Sequence, residues 1–404
     1  MMNQLGSRRR FLNLLVRSSR DGLYSLRRMD PYKNLFYDST KQAEEAAAAA
    51  CADGKRKKKF DKTIRRLPDP VTRFGSSTIG ALPDGLEWFE LLSPRVSTDG
   101  RIVNSTKAGE LAMFDADNSI FYTLPPLHQP KGFEPVAFSV TPPGGDDDKQ
   151  QHLLYLLDRY PGRLATRPRM SPSCNHPRSC FEVVELGFKD SRSKGGWRSR
   201  LLPPPPYVHQ PGYQPSLINS YTTMENTADG STSICVSSQG FGTYCFDTAC
   251  RDDTHQLGWR PLEEWRHVGD WTLPFDGRGE HIRELDIWLG FKWDTPPCRL
   301  NHLCAVDLSA AMDQGRPPAI QHVWGGLSGM SDQEEQQLLP MHRRVVNLGG
   351  GKLCIAKVLD DIEGKRFAVL TGIELLRDPN KSLRIVKHKC ARYTSVMEMI
   401  RWVL

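Results

Sequence analysis

Long apolar runs are missing from this sequence of 404 residues, and none reaches the roughly 18 residues that a membrane-spanning helix needs. The run from Phe11 to Val16 follows three arginines, but it is too short for a secretory signal and lacks a small-residue cleavage site. Residues 1–20 contain no acid, as in a mitochondrial presequence, yet Phe11 to Val16 also fits the first strand of a domain. We therefore expect an intracellular protein, cytoplasmic or nuclear rather than mitochondrial, with no membrane partner.

Several motifs that mark enzymes are also missing. The chain has no phosphate-binding loop of the form GxxxxGK[ST], no GxSxG nucleophile elbow and no HExxH zinc motif. The three glycines at 349–351 precede Lys352, but strand-like runs flank them, so we predict a glycine hairpin there. We predict no catalytic residues and no cofactor.

The ten cysteines include no CxxC pair, so the sequence predicts free thiols in a reducing compartment, partly buried in the core. Two short segments each place a histidine near two cysteines. The weak metal candidates are Cys174, His176, Cys180, Cys298, His302 and Cys304. The five-residue gap between the cysteines of each segment exceeds the spacing usual in structural zinc sites, so we predict no metal site.

The net charge of +7 is unevenly distributed. Residues 1–73 hold 18 basic and 8 acidic residues, whereas the rest holds 36 and 39. A nearly neutral body makes nucleic acid an unlikely partner. The strongest basic cluster is Lys55, Arg56, Lys57, Lys58 and Lys59, which fits either a nuclear import signal or a solvated, disordered run.

Short apolar and aromatic runs separated by turns predict an all-β fold, which the 29 prolines and 33 glycines also favour. A unit recurs in which a strand ends on an acidic residue and an aromatic or Leu-Pro segment follows. The acidic residues are Asp30, Asp115, Glu185, Asp247, Asp307 and Glu374, spaced by 60 to 85 residues. In GFGTYCFDT, the stretch around Asp247, alternation places Tyr244 and Phe246 on one face of a strand and Cys245 on the other.

Repeated strand units of this kind predict a single β-propeller of about six blades. Two stacked β-sandwiches, with a linker at 187–216, are the alternative. We assign 1–9 to a flexible N-terminus, 10–393 to the propeller and 41–64 to a disordered Ala/Lys-rich insertion within it, whose tract 41–62 is unstructured or weakly helical. The segment 394–404 is a strand or a short helix, and the N-terminal strand completes a blade begun near the C-terminus.

Three segments carry a resemblance to a known family: RRRFLNLLVRSSRDGLYSLRRMDP, GTYCFDT and HVGDWTLPFDGRGEHIRELDIWLGF. They resemble a large group of cereal-grass plant proteins known only by a domain of unknown function, over most of the chain. The pattern is also similar to the kelch-like domains that follow F-boxes in plant proteins, although no F-box module precedes the repeats. The resemblance implies a propeller and supplies no catalytic residues.

These observations favour a non-catalytic scaffold that binds other proteins through loops on one propeller face. An enzyme with its site in the propeller channel is one alternative, because fold alone does not exclude activity. A nuclear regulatory protein that uses the basic run at 54–66 is the other.

Overall fold

The computed structural model describes most of the chain, and every structural statement below refers to these parts. The described residues are 8–52, 60–75, 86–92, 100–141, 150–162, 180–188, 197–225, 230–248, 250–251, 260–261, 264–294, 302–380 and 382–404.

Strands dominate these residues. The first fourteen are β1 (Leu12–Ser18), β2 (Tyr24–Met29), β3 (Lys62–Ile64), β4 (Thr72–Phe74), β5 (Leu86–Leu91), β6 (Arg101–Thr106), β7 (Leu111–Asp115), β8 (Ile120–Thr123), β9 (Val136–Val140), β10 (Gln150–Leu157), β11 (Phe181–Phe188), β12 (Arg198–Leu201), β13 (Ile218–Glu225) and β14 (Thr232–Ser238). The remainder are β15 (Gly242–Asp247), β16 (Cys250–Arg251), β17 (Arg260–Pro261), β18 (Trp265–Gly269), β19 (Gly277–Arg278), β20 (Glu280–Ile282), β21 (Ile287–Phe291), β22 (Leu303–Val306), β23 (Ile320–Trp324), β24 (Leu339–Gly349), β25 (Lys352–Asp360), β26 (Arg366–Arg377), β27 (Leu383–Thr394) and β28 (Glu398–Val403).

Helices are few and mostly short. They are α1 (Pro31–Leu35), α2 (Thr40–Ala52), α3 (Ser309–Gln314) and α4 (Asp332–Gln336), with two 3₁₀ turns at Pro206–His209 and Arg283–Leu285. No helix in the described part of the chain has both the length and the apolar character needed to cross a membrane.

The chain is all-β, and its strands form six principal sheets in a six-blade β-propeller arrangement. It divides into two compact units. Unit 1 comprises Met1–Gly75, Pro274–Leu308 and Pro318–Leu404, and unit 2 comprises Ser76–Leu273 and Ser309–Pro317. Each unit contains three of the six sheets.

Unit 1 contains sheets with the strand orders β28-β1-β2-β4, β20-β21-β22-β23 and β24-β25-β26-β27. The two ends of the chain share the first sheet, because β1 pairs with β28 and Asn13 exchanges two backbone hydrogen bonds with Leu404, at 3.0 and 2.9 Å. The prediction that the N-terminal strand completes a blade with the C-terminal segment is therefore confirmed. Between β24 and β25, all three glycines at 349–351 have φ between 63° and 82°, as a glycine hairpin requires.

Unit 2 contains sheets with the orders β5-β6-β7-β8, β12-β11-β10-β9 and β18-β15-β14-β13, plus a small β16–β17 ladder. Gly242 begins β15 at φ 81°, and a Cβ there would lie 2.3 Å from the Gly269 carbonyl oxygen. Only glycine allows this close approach of two strands. Tyr244 and Phe246 pack into one apolar cluster while Cys245 faces away from it, as alternation predicts.

The repeated acidic residues correspond to a real feature of the fold. The strands that contain or directly precede them are β2, β7, β11, β15, β22 and β26, and each is the third strand of its four-stranded set. The repeat in the sequence thus marks the same strand of every set, although Glu185 and Glu374 lie inside their strands and not at the strand end that the sequence predicts.

The insertion is more ordered than the sequence predicts. Residues 40–52 form α2, because alanine has the highest helix propensity and the Ser39 hydroxyl accepts a 3.2 Å hydrogen bond from the Gln42 N–H at its start. Residues 62–64 form β3, which pairs in parallel with the edge strand β27. The assignment of 41–64 as disordered is wrong for these two elements.

Candidate functional site

Some of the residues singled out in the sequence lie outside the described parts of the chain. They are the metal candidates Cys174, His176 and Cys298, and the basic run Lys55 to Lys59. The nuclear import signal therefore stays a prediction.

The described metal candidates do not assemble into a site of their own. Cys180 is buried before β11 in unit 2, where burial and the Asp158 charge raise the pKa of its thiol to about 12. In unit 1, burial likewise raises the pKa of the Cys304 thiol to about 12, and His302 Nε2 lies 3.3 Å from Asp332 Oδ1. Both thiols are therefore protonated at neutral pH in the metal-free protein. Within the described ranges, no three His, Cys, Asp or Glu side chains form a group that could hold a metal ion.

The prediction of free thiols is wrong for one pair. Cys235 of β14 and Cys245 of β15 form a disulfide, because they face each other directly in the ladder with their Cα atoms 4.1 Å apart. On the side away from the aromatic cluster, Cys245 Sγ lies 3.9 Å from Met312 Sδ of α3. Among the described cysteines, Cys180, Cys304, Cys354 and Cys390 are free and buried, as small apolar side chains would be.

The most heavily connected polar group in unit 2 is the Glu182 carboxylate of β11. Its Oε1 accepts hydrogen bonds from Lys131 Nζ at 2.5 Å and from the Gln129 N–H at 3.2 Å. Its Oε2 accepts from the N–H and Nδ1 of His128, at 2.9 and 2.8 Å, and from the Ser199 hydroxyl at 3.0 Å. We call these five residues the Glu182 centre.

Charge pairing keeps the Glu182 centre ionised although it is buried. The side chains of Glu182 and Lys131 are completely inaccessible to solvent. Burial alone would raise the pKa of Glu182, but the Lys131 charge and the hydrogen bonds outweigh it and hold that pKa below its usual value. Since Lys131 and His128 lie between β8 and β9, the centre fastens that connection to the sheet of β9–β12.

The Glu182 centre contains serine, histidine and an acid, but not in a catalytic geometry. Ser199 Oγ lies 3.4 Å from His128 Nδ1, the same ring nitrogen that bonds Glu182. A nucleophile relay needs the hydroxyl and the acid on different nitrogens of the imidazole. Ser199 instead donates to Glu182, so these groups hold one another in place.

Asp158 lies beside the Glu182 centre and is held differently. Asp158 is only 8% exposed, and its Oδ1 has no hydrogen-bond partner among the described residues. Burial raises the pKa of Asp158 to about 8; the Lys131 charge opposes the rise and the Glu182 charge adds to it. Asp158 is therefore mostly protonated at pH 7.

Unit 1 contains a second buried ion pair with a similar role. Lys357 of β25 bonds Glu335 of α4, and the Ser328 hydroxyl donates to the other Glu335 oxygen at 2.8 Å. Burial lowers the pKa of Lys357, and the Glu335 charge opposes that effect. A capping box of Ser331 and Glu334 starts α4, so the connection between β23 and β24 is fixed at both places.

Exposed apolar side chains gather on three neighbouring turns of unit 1. Ile362 is 87% exposed, Val396 79%, Met397 60% and Leu23 37%. We call these four residues the turn patch.

Hydrogen bonds hold two of the three turns of this patch side by side, and strand pairing places the third. The Ser19 N–H donates to the Met397 carbonyl at 2.8 Å, and the Ser19 hydroxyl to the Val396 carbonyl at 2.9 Å. Pairing of Phe367 with Thr394 places the turn that bears Ile362 next to the turn at 395–397. The apolar side chains are therefore presented from a fixed backbone.

Sequence reasoning missed both the Glu182 centre and the turn patch. The sequence does contain a signal for Glu182, because apolar residues flank it on both faces of β11: Val184 and Leu186 on its own face, and Phe181 and Val183 on the other. Apolar residues on both faces predict a fully buried strand, as the structure shows, and a charge in such a strand is exceptional. No comparable signal marks the turn patch, because the turn of Leu23 lies more than 300 positions before the other two turns.

Comparisons with known proteins identify a family but no activity. A family model described as "Protein of unknown function (DUF1668)" matches residues 9–393. No curated protein matches the chain.

Several solved structures are similar at low identity. The complex of fission yeast SREBP-SCAP binding domains is 12% identical (TM-score 0.33), covering 75% of this chain and 64% of that one. The WD40 domain of SCAP from fission yeast is 10% identical (TM-score 0.32), covering 79% and 62%. Apo AztD from Citrobacter koseri is 8% identical (TM-score 0.30), covering 95% and 97%. The chain thus spans just over three fifths of the two fission yeast chains.

Proposed function

This chain belongs to the DUF1668 family of proteins of unknown function, and we propose that it is a non-catalytic scaffold that binds other proteins through the turn patch. The observation that carries this proposal is the exposure of four apolar side chains on three turns, two of which are joined by hydrogen bonds and the third of which is placed by strand pairing. Contiguous exposed apolar patches typically mark interaction sites, and a fixed backbone lowers the entropy that binding costs.

The chemistry of the buried polar groups supports a binding role over a catalytic one. In the Glu182 centre, the side chains of Lys131, His128 and Ser199 each bond the Glu182 carboxylate, and one histidine nitrogen serves both the acid and the serine. The buried thiols of Cys180 and Cys304 have pKa values raised to about 12, which suppresses their nucleophilicity. These groups stabilise the loops of the fold.

The proposal is tested by removing the apolar side chains without disturbing the turns. Affinity capture from the cells that express the protein should recover partners with the wild type that are lost with the triple variant Ile362→Ser, Val396→Ser, Met397→Ser. With a purified partner, the dissociation constant should rise at least tenfold, because full burial of an apolar side chain of this size contributes about 1.5–3 kcal/mol.

A matched control variant removes two similarly exposed apolar side chains that are not part of the patch. Ile120 and Leu201, in unit 2, are 45% and 38% exposed, and the double variant Ile120→Ser, Leu201→Ser should bind as the wild type does. Equal recovery of every partner by the triple variant, or no partner above background with the wild type, would contradict the proposal.

A further inference from the structure

The strand β23 forms an outer edge of its sheet in unit 1. It pairs with β22 on one side, and no backbone partner lies on its other side among the described residues. Every second residue of such a strand turns its N–H and C=O groups outward. The sequence of β23 is Ile-Gln-His-Val-Trp, which contains no charge and no proline.

We call the fourth strand of each four-stranded set its outer strand; these are β4, β8, β12, β18, β23 and β27. Most of the other outer strands are protected in ways that β23 is not. Arginines occupy β4, β12 and β18, and charged side chains on an edge oppose the addition of another strand. The edge of β27 is covered by β3. Only β8 is similarly uncharged, but it is one residue shorter, and its Phe121 ring packs on Phe114 with centroids 4.6 Å apart.

The fold itself shows what can occupy such an edge. The strand β3 comes from a distant part of the sequence and pairs in parallel with residues 391–393 of β27. Asp61 fixes its start, because its N–H donates to the Cys390 carbonyl at 3.0 Å and its Oδ2 accepts from the Cys390 N–H at 2.7 Å. Three residues of extended chain thus dock stably on an outer edge of this protein.

Side chains of β23 indicate the chemistry of a suitable strand. Val323 and Ile320 are 45% and 37% exposed, and the rings of His322 and Trp324 stack with centroids 5.3 Å apart. An added strand would place its own side chains beside these uncharged groups. It should therefore carry apolar or uncharged residues, and its affinity should change little with salt.

We propose that the outer edge of β23 is a binding site for an extended, uncharged peptide segment of a partner protein, which adds to the sheet as a further strand. The row of outward N–H and C=O groups specifies an extended backbone, and the lack of edge charges leaves the strand open to it. This site is separate from the turn patch and does not depend on the function proposed for that patch.

A phage-displayed library of random linear peptides, selected on the full chain, provides the probe. Selected peptides should slow hydrogen exchange of the amides at 320–324, and binding should be nearly unchanged by added salt. The variant Val323→Lys, which places a charge on an exposed edge position, should weaken binding at least tenfold. The matched variant Ile120→Lys on β8 and the triple variant of the turn patch should bind the peptides as the wild type does.

Three outcomes would overturn the proposal. The first is failure to select any peptide, and the second is slowed hydrogen exchange at β8 or the turn patch instead of β23. The third is self-association of the chain that Val323→Lys abolishes, because the edge would then bind a second copy of the chain. Circular dichroism of Val323→Lys should match the wild type, which separates a blocked edge from a misfolded chain.

Discussion

At the scale of single residues, buried charges in this protein fasten connections to sheets. The Lys131–Glu182 pair and the Lys357–Glu335 pair each join a segment between two sheets to a strand of the next sheet. Removing one partner of such a pair leaves an uncompensated buried charge, which typically lowers the free energy of unfolding by about 3–5 kcal/mol. Each pair therefore fixes the position of one connecting segment against a strand.

Asp158 gives a pH dependence that can be assigned to one side chain. Its pKa of about 8 in the folded state lies above the ordinary 3.8, so the folded protein holds a proton that the unfolded chain releases. The stability that this proton confers is complete below pH 3.8 and is lost as the pH rises through 8. Urea unfolding should therefore show a loss of about 2 kcal/mol between pH 6.5 and 8, and Asp158→Asn should abolish that loss.

The pH range and a control variant separate the effect of Asp158 from that of other groups. The pKa of His152 is lowered to about 4, mainly by burial, so most of its effect on stability falls below pH 6.5; above that pH it adds only about 0.4 kcal/mol, in the opposite direction to the loss from Asp158. The variant Asp117→Asn, which changes an exposed aspartate of the same unit, should keep the decline. A decline that persists in Asp158→Asn would show that another group causes it.

At the scale of elements, the segment between β2 and β4, which includes the insertion, lies against β26 and β27 of another sheet of unit 1. His388 of β27 accepts a 3.2 Å hydrogen bond from the Tyr37 N–H, and Glu374 of β26 accepts one from the Thr40 hydroxyl at 2.7 Å. These bonds and the pairing of β3 with β27 cover the edge of that sheet. The insertion is thus part of the fold and protects an edge from unwanted pairing.

A single glycine controls how closely α1 approaches this sheet. A Cβ on Gly372 of β26 would lie 2.2 Å from the Leu35 carbonyl oxygen at the end of α1. Gly372→Ala should therefore displace α1 and speed hydrogen exchange over residues 31–45, with a loss of stability of about 1–3 kcal/mol. A Cβ on Gly187 of β11 would meet nothing within 4 Å, so Gly187→Ala serves as the control. Unchanged exchange in Gly372→Ala would show that α1 does not depend on this contact.

At the scale of the whole molecule, pairing of the chain ends completes one sheet. Ile400, Trp402 and Val403 of β28 are all at most 3% exposed, and Leu14, Leu15 and Val16 of β1 pair with the segment that bears them. The closure of the first sheet therefore requires residues from both termini.

Removal of residues 398–404 tests this closure. Burial of each large apolar side chain contributes about 1.5–3 kcal/mol, so losing three of them removes an amount comparable with the whole stability of a domain. The truncated chain should lose its cooperative thermal transition, and a synthetic peptide of residues 395–404 should restore it in trans. Retention of the wild-type transition by the truncated chain would contradict this account.

The sequence by itself determined the elements and their repetition. Alternation and turn residues identify a strand locally, which is why β7, β15 and β26 and the glycine hairpin could all be predicted. The closure of the first sheet was also predicted from the strand-like N-terminal segment, although the sequence left 394–404 open between a strand and a short helix.

Only the tertiary structure decided the rest, because it depends on residues that are distant in sequence. Cys235 and Cys245 look like isolated thiols until the ladder sets them opposite each other. The alanine-rich helix α2 is supported by contacts with β27, which the sequence places more than 300 residues away. Local patterns determine which segments become strands, but the free energy of burying a charge or exposing an apolar turn depends on what folding brings beside it.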